Sequence, residues 1–172
     1  MACVLTSGYT FLGCKGGAGG IKRVLITEYE NLTGGTFTAS AGVVTTFTLG
    51  TGLYREYLLD KEMGMFSSPG TYTPASGTVS YDPSVDFTIK KLTAAMIQEI
   101  HLVAQNVVSL IVEDVNGDYW LFGYDRGMDL LTWSTDSGMA ITDMNGHKLS
   151  FKGKEIAPIY KVAANQIAGL LV

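Results

Sequence analysis

The pattern of residues predicts a mainly β fold, a β-sandwich or partly closed barrel with one packed α-helix and a long protruding β-hairpin arm. Three observations predict it. Residues 79–89 alternate strictly, with Val79, Tyr81, Pro83, Val85, Phe87 and Ile89 on one face and Ser80, Asp82, Ser84, Asp86 and Thr88 on the other. That is the period of two that defines a half-buried strand, sustained well beyond the ordinary length of about 5–6 residues. Val24-Leu25-Ile26 is apolar at consecutive positions, as in a strand covered on both faces. Only one segment, from Thr93 to about Asn106, repeats its apolar residues at helical spacing.

In chain order, residues 1–20 are Gly-rich and end in Gly16-Gly17-Ala18-Gly19-Gly20, which reads as a flexible N-terminal arm. Residues 21–172 read as a single β domain. Ile21 to Glu30 is its first strand. Thr36 to Leu49 is a second strand region, with Val43, Phe47 and Leu49 on one face and Val44, Thr46 and Thr48 on the other. Residues 53–92 read as one oversized hairpin: Leu53-Tyr54-Arg55-Glu56-Tyr57-Leu58-Leu59-Asp60 runs on toward Met63, Met65 and Phe66, and a loose loop over residues 67–77 leads into the alternating strand.

The helix begins at Thr93, an N-cap residue, and carries a stripe of Met96, Ile100 and Val103, with Ile97 and Ala104 beside it. Asn116-Gly117 predicts a type I′ turn between strands 107–114 and 118–124, and Asn145-Gly146 predicts another between 139–143 and 147–152. Residues 125–138, rich in Asp, Ser and Gly around Trp133, read as an ordered loop, and 155–172 are weakly patterned. The total is roughly seven or eight strands.

Composition narrows the function. Charged residues make up 16% of the chain against 47% hydrophobic, below the ~25% charged that is usual for soluble domains, which points to surface covered by partners. The net charge of −4 and the dispersed Lys and Arg disfavour tight nucleic-acid binding. Cys3 and Cys14 lack the spacing of a disulfide framework or a zinc site. The first residues lack the basic and apolar regions of a secretory signal, and no apolar run is long enough to span a bilayer.

Catalytic and metal-binding constellations are weak, and no cofactor is expected. His101 has Ile97, Gln98, Ala104 and Gln105 at helical spacing, so no carboxylate orients its ring; His147 follows a turn. The run Gly13 to Gly20 leads into a strand and lacks the Lys-Ser/Thr pair of a phosphate loop. Asp114, Asn116, Asp118 and Asp125 fall near calcium-loop positions, but Tyr119 stands where that loop needs glycine. Glu28, Glu30, Glu56, Asp60, Glu62, Asp82 and Asp86 are simplest as solvated strand faces. The reading is therefore non-enzymatic: a ribbon this long with little to lean on finds cover on another subunit. Its candidate subunit-interface residues are Met63, Met65, Phe66, Tyr72 and Tyr81, and removing residues 62–78 is expected to leave a folded monomer.

The opening Ala2-Cys3-Val4-Leu5-Thr6-Ser7-Gly8, Cys14 and the run Gly19 to Asn31 resemble structural proteins of tailed bacteriophages infecting Bacteroides-type bacteria, the crAss-like phages among them. The likeness extends through the Asn116-Gly117 hairpin and residues 138–155, and the arm and helix placement look like the tail-tube family of ring proteins. That resemblance implies a virion subunit assembled in the host cytoplasm into a hexameric or larger ring or tube of the tail or neck. It implies contacts with neighbouring virion proteins and genomic DNA passing through the lumen without specific binding. It carries over no catalytic residue. The alternative reading is a β-sandwich carbohydrate-binding or host-attachment module that stacks sugars on Tyr119, Trp120 and Trp133.

Overall fold

A computed structural model describes residues 8–9 and 17–172. The fold is mostly β, with one main helix, and its large mixed sheet is not closed into a barrel. The strands are β1 (Ile21–Glu28), β2 (Phe37–Ser40), β3 (Val43–Phe47), β4 (Arg55–Leu58), β5 (Gly64–Ser67), β6 (Gly70–Thr73), β7 (Thr78–Tyr81) and β8 (Ser84–Lys90). After helix α1 (Ala94–Gln105) come β9 (Val108–Asp114), β10 (Tyr119–Phe122), β11 (Met128–Asp136), β12 (Gly146–Gly153), β13 (Tyr160–Val162) and the short α2 (Ala164–Ile167). No helix among the described residues is long and apolar enough to cross a membrane.

Eleven strands form one sheet, ordered β2-β3-β13-β10-β9-β11-β12-β8-β5, with β4 and β1 attached beside β9. β11 meets β9 only where Met128 pairs with Val108, and the sheet doubles over at that corner. The inner faces of the two limbs then share one core. Val24, Ile26, Leu110, Val112 and Phe122 come from one limb; Val85, Phe87, Leu130, Leu149 and Phe151 come from the other. Helix α1 closes the side through Ile100, with Met96 and Val103 packed alongside. Its first turn is capped as predicted, the Thr93 hydroxyl accepting from the Met96 amide at 3.2 Å.

A second core lies on the opposite face of β1, β9 and β10, where Leu25, Ile111, Tyr119 and Leu121 meet Val44, Phe47, Tyr54, Val162, Ile167 and Leu170. This is why Val24-Leu25-Ile26 is apolar without alternation: its neighbours point into two different cores. In the β2–β3 pair a register shift between Thr38 and Ala39 turns Val44 and Phe47 inward together, so the predicted grouping of Val43 with Phe47 is corrected.

Four further expectations change. First, the outer limb of the long hairpin, residues 55–58, pairs with β1 and not with the alternating strand. The ribbon itself is β5 on β8, Gly64 opposite Phe87 through Ser67 opposite Ser84, followed by the separate hairpin β6–β7. Second, residues 128–136 are strand, not loop. A bulge between Leu130 and Thr132 breaks their alternation and hides it from a periodicity reading.

Third, residues 139–143 form a turn, and Gly146 lies within a strand. A Cβ there would come within 2.2 Å of the Ile89 carbonyl, so glycine serves close backbone approach rather than a turn. Fourth, the Asn116-Gly117 hairpin exists, but only Gly117 has positive φ, at 87°. The Gly117 amide bonds the Asp114 carbonyl at 3.1 Å, a three-residue loop in place of the two-residue I′ turn. Asp114 is the reason: its carboxylate accepts the Asn116 and Asp118 amides at 2.8 and 3.0 Å and holds the wider loop.

Of the predicted N-terminal arm, residues 1–7 and 10–16, including Cys3 and Cys14, lie outside the described residues. Residues 18–20 dock on this same hairpin. The Ala18 amide donates to Asn116 Oδ1 at 3.0 Å, and Asn116 Nδ2 donates to the Ala18 carbonyl at 2.9 Å.

Candidate assembly surface

The ribbon that leaves the sandwich is built by local chemistry. β5 and β8 end at Ser67 opposite Ser84, and Pro69 and Pro83 stand just beyond, each without an amide to continue the ladder. The chain bends there, and β6–β7 starts again with Gly70 opposite Tyr81. Backbone bonds fix the bend: Asp82 N to Pro69 O at 3.0 Å, Gly153 N to Pro83 O at 3.0 Å, and a reciprocal pair between Tyr81 and Glu155 at 2.8 Å each.

The five predicted interface residues divide between two environments. Phe66 turns into the sandwich, its ring centroid 5.4 Å from that of Phe122 and 6.3 Å from that of Trp120. Met65, on the opposite face, is 59% exposed. Met63 is half-buried at the rim of a groove of about 510 Å³ that Met65, Asp86, Thr132, Lys148 and Ser150 also line, over the outer face of β5, β8, β12 and β11. Tyr72 is 61% exposed at the tip, while the half-buried Tyr81 lies over Gly70, where an added Cβ would sit 3.1 Å from its ring.

Tyr72 pairs across the hairpin with Val79, so β6–β7 has one face of Tyr72, Val79 and Tyr81 and another of Thr71, Thr73, Thr78 and Ser80. Every residue of β6 is exposed.

Glu155 ties this base to the corner of the sheet. Its carboxylate accepts the Asp125 amide at 3.0 Å and the Arg126 amide at 3.3 Å, and Tyr29 donates its hydroxyl to the Asp125 carbonyl beside it. Burial lifts the Glu155 carboxyl above its ordinary value of 4.5, and the charge of Asp125 adds to this, against the two amide bonds. A carboxyl raised in the folded state contributes stability that is complete below its unfolded value and is lost as pH rises through the folded one. Glu155→Gln should therefore gain stability over the parent as pH rises above 4.5, read from urea midpoints of both proteins between acid and neutral pH. A difference that does not change with pH would refute this.

The residues considered for chemistry do not converge. His101 is exposed on α1 beside Gln105, whereas His147 is fully buried on β12, with Nδ1 at 3.0 Å from the Thr135 hydroxyl. Asp114 spends its oxygens on N–H groups, Oδ2 accepting Trp120 Nε1 at 3.2 Å, and is not free to ligate calcium. Those amide and indole bonds hold its carboxyl below the usual range although burial works to raise it. Among the described residues no three His, Cys, Asp or Glu side chains gather as a metal set would require. The three aromatics of the sugar-stacking alternative lie apart: Tyr119 in the second core, Trp120 against the first, and Trp133 on β11.

Sequence reasoning missed one cluster of charge. Glu113 is buried on β9, where Lys22 donates to it at 3.0 Å and Arg23 donates through Nε. Arg23 also bonds Glu56 and the Tyr119 hydroxyl, the latter at 2.7 Å. The signal was present: Glu113 directly follows the apolar Leu110-Ile111-Val112, Arg23 directly precedes the apolar Val24-Leu25-Ile26, and such charges on strands covered on two faces need a partner.

Compared with family models, curated proteins and solved structures, the chain matches none.

Proposed function

We propose that this chain is a non-enzymatic structural subunit of a bacteriophage virion that self-assembles into a ring or tube of the tail or neck around the DNA channel. The observation that carries the reading is the β6–β7 hairpin. It is a two-stranded ribbon with no sheet of its own to lean on, held out by a base tied into the sandwich through Phe66 and the Tyr81–Glu155 pair. An isolated hairpin of this kind is marginal in water, and a rigid base is of use when the tip has a partner. The low charged fraction of 16% supports the same conclusion, and the resemblance of residues 2–31 to phage structural proteins supplies the setting. Joining subunits by exchanged arms and strand edges needs no catalytic group.

Light scattering coupled to size exclusion, with negative-stain images of any large peak, tests the assignment. Rings or stacked rings are the expected outcome. A chain that stays monomeric at every concentration, with featureless images, would rule it out.

A further inference from the structure

We infer that the free edge of β11, from Leu131 to Asp136, is the acceptor for the β6–β7 hairpin of a second copy of this chain, which would extend the sheet by its two strands. The inference rests on the assembly reading above and assigns that reading its docking site.

An edge strand presents a row of unpaired backbone donors and acceptors, and proteins commonly blunt it with charge, proline or shortness. Beyond Met128, β11 pairs with β12 alone, and its six residues Leu131-Thr132-Trp133-Ser134-Thr135-Asp136 hold one charge, at the end. Leu131 is 60% and Trp133 50% exposed. The competing edges among the described residues are shorter. β2, β4 and β5 have four residues each, and Arg55 and Glu56 guard β4 with ion pairs to Glu99 and Arg23.

The two surfaces match face by face. Trp133 pairs with Leu149 and shares its side of the sheet, while Thr132 and Ser134 share the side of Ser150 and Lys148. A hairpin added to this edge would continue Trp133 with Tyr72 and Val79. Its other face, Thr71, Thr73, Thr78 and Ser80, would continue Thr132 and Ser134. Cross-strand pairs of these kinds, aromatic with aromatic or β-branched and Thr with Thr or Ser, are the ones that favour pairing.

The order of strands decides that the partner is another copy. In the limb β11-β12-β8-β5 the hairpin grows from β5 and β8, and β12 stands between β8 and β11. The arm thus leaves from one side of the limb and the acceptor edge lies on the other, so the arm of one copy meets the edge of another, and the contact repeated head to tail builds a ring or filament.

The test compares three proteins by light scattering: wild type, Leu131→Lys/Trp133→Lys, and a chain with a two-glycine turn in place of residues 71–80. Leu131 and Trp133 are exposed, so the lysines should leave the fold, checked by circular dichroism and thermal melting, unchanged. Both variants are expected to be folded monomers where wild type assembles. If the shortened arm gives monomers but the lysine variant assembles like wild type, the arm still acts and β11 is not its acceptor. If wild type itself is monomeric, the assembly reading falls and this site with it. Placement is read independently by mixing Thr73→Cys and Ser134→Cys chains, each also Cys3→Ser and Cys14→Ser, with a short bis-maleimide. Products joining the two different variants are expected, and products joining only like variants would overturn the assignment.

Discussion

Arg23→Ala should destabilise the protein by about 3 kcal/mol, because removing one partner of a buried ion pair leaves the other charge in a place built for compensation. The Glu113 side chain is 5% exposed and that of Arg23 20% exposed. Burial alone would push the Glu113 carboxyl upward; the bonds from Lys22 and Arg23 and the Tyr119 hydroxyl reverse this and hold it below its ordinary value. Without Arg23, only the largely exposed Lys22 remains as a cation against it. Tyr119 also loses the guanidinium stacked 5.5 Å from its ring centroid.

Denaturant midpoints give the measurement, and a second protein separates charge from packing. Arg23→Met/Glu113→Leu removes both charges while keeping apolar bulk, and should recover most of the lost stability, since the cost lies in the unpaired charge rather than in the absence of the pair. A loss under about 1 kcal/mol in the single variant would show that Glu113 finds other compensation. The depressed carboxyl also sets a direction with pH: its contribution is present above the ordinary glutamate value and is lost as pH falls through the folded one.

Phe66→Ala and Tyr72→Ala should separate the two halves of the arm. Phe66 contacts Phe122 and Trp120 from a half-buried position at the edge of the first core, and truncating it should cost about 3 kcal/mol, near the low end for large aromatic deletions in cores. Tyr72 stands largely in solvent and its truncation should stay within about 0.5 kcal/mol of the parent. The order reverses if assembly is scored: Tyr72→Ala keeps the monomer fold and weakens the oligomer, whereas Phe66→Ala weakens the fold first. Equal stability losses in the two variants would contradict this division. The same geometry revises the deletion suggested by sequence. Cutting residues 62–78 would remove β5 and the Phe66 ring from the sandwich, while cutting 71–80 removes only the tip.

Much of the fold was legible because it is locally encoded. The capped helix at Thr93, the strand at Val24 to Ile26, the first Asn-Gly hairpin and the alternation through Phe87 each follow from a few neighbouring residues, whose spacing answers to a helical or extended period. Of the five interface candidates, Met65 and Tyr72 stand exposed. Phe66 was grouped with them on the strength of proximity alone. Whether an aromatic beside a loop meets solvent or Phe122 depends on a residue more than fifty positions away.

Local pattern along the chain is enough for a β-rich fold, one main helix and a first strand covered on both faces. Tertiary structure alone decided that residues 55–58 leave that ribbon for β1, that a bulge turns the apparent loop at 128–136 into an edge strand, and that Arg23 and Glu113 meet within the sheet. The reason is physical. A strand's period is written in the strand, but its partner, its register and the charge opposite it are set by residues far along the chain.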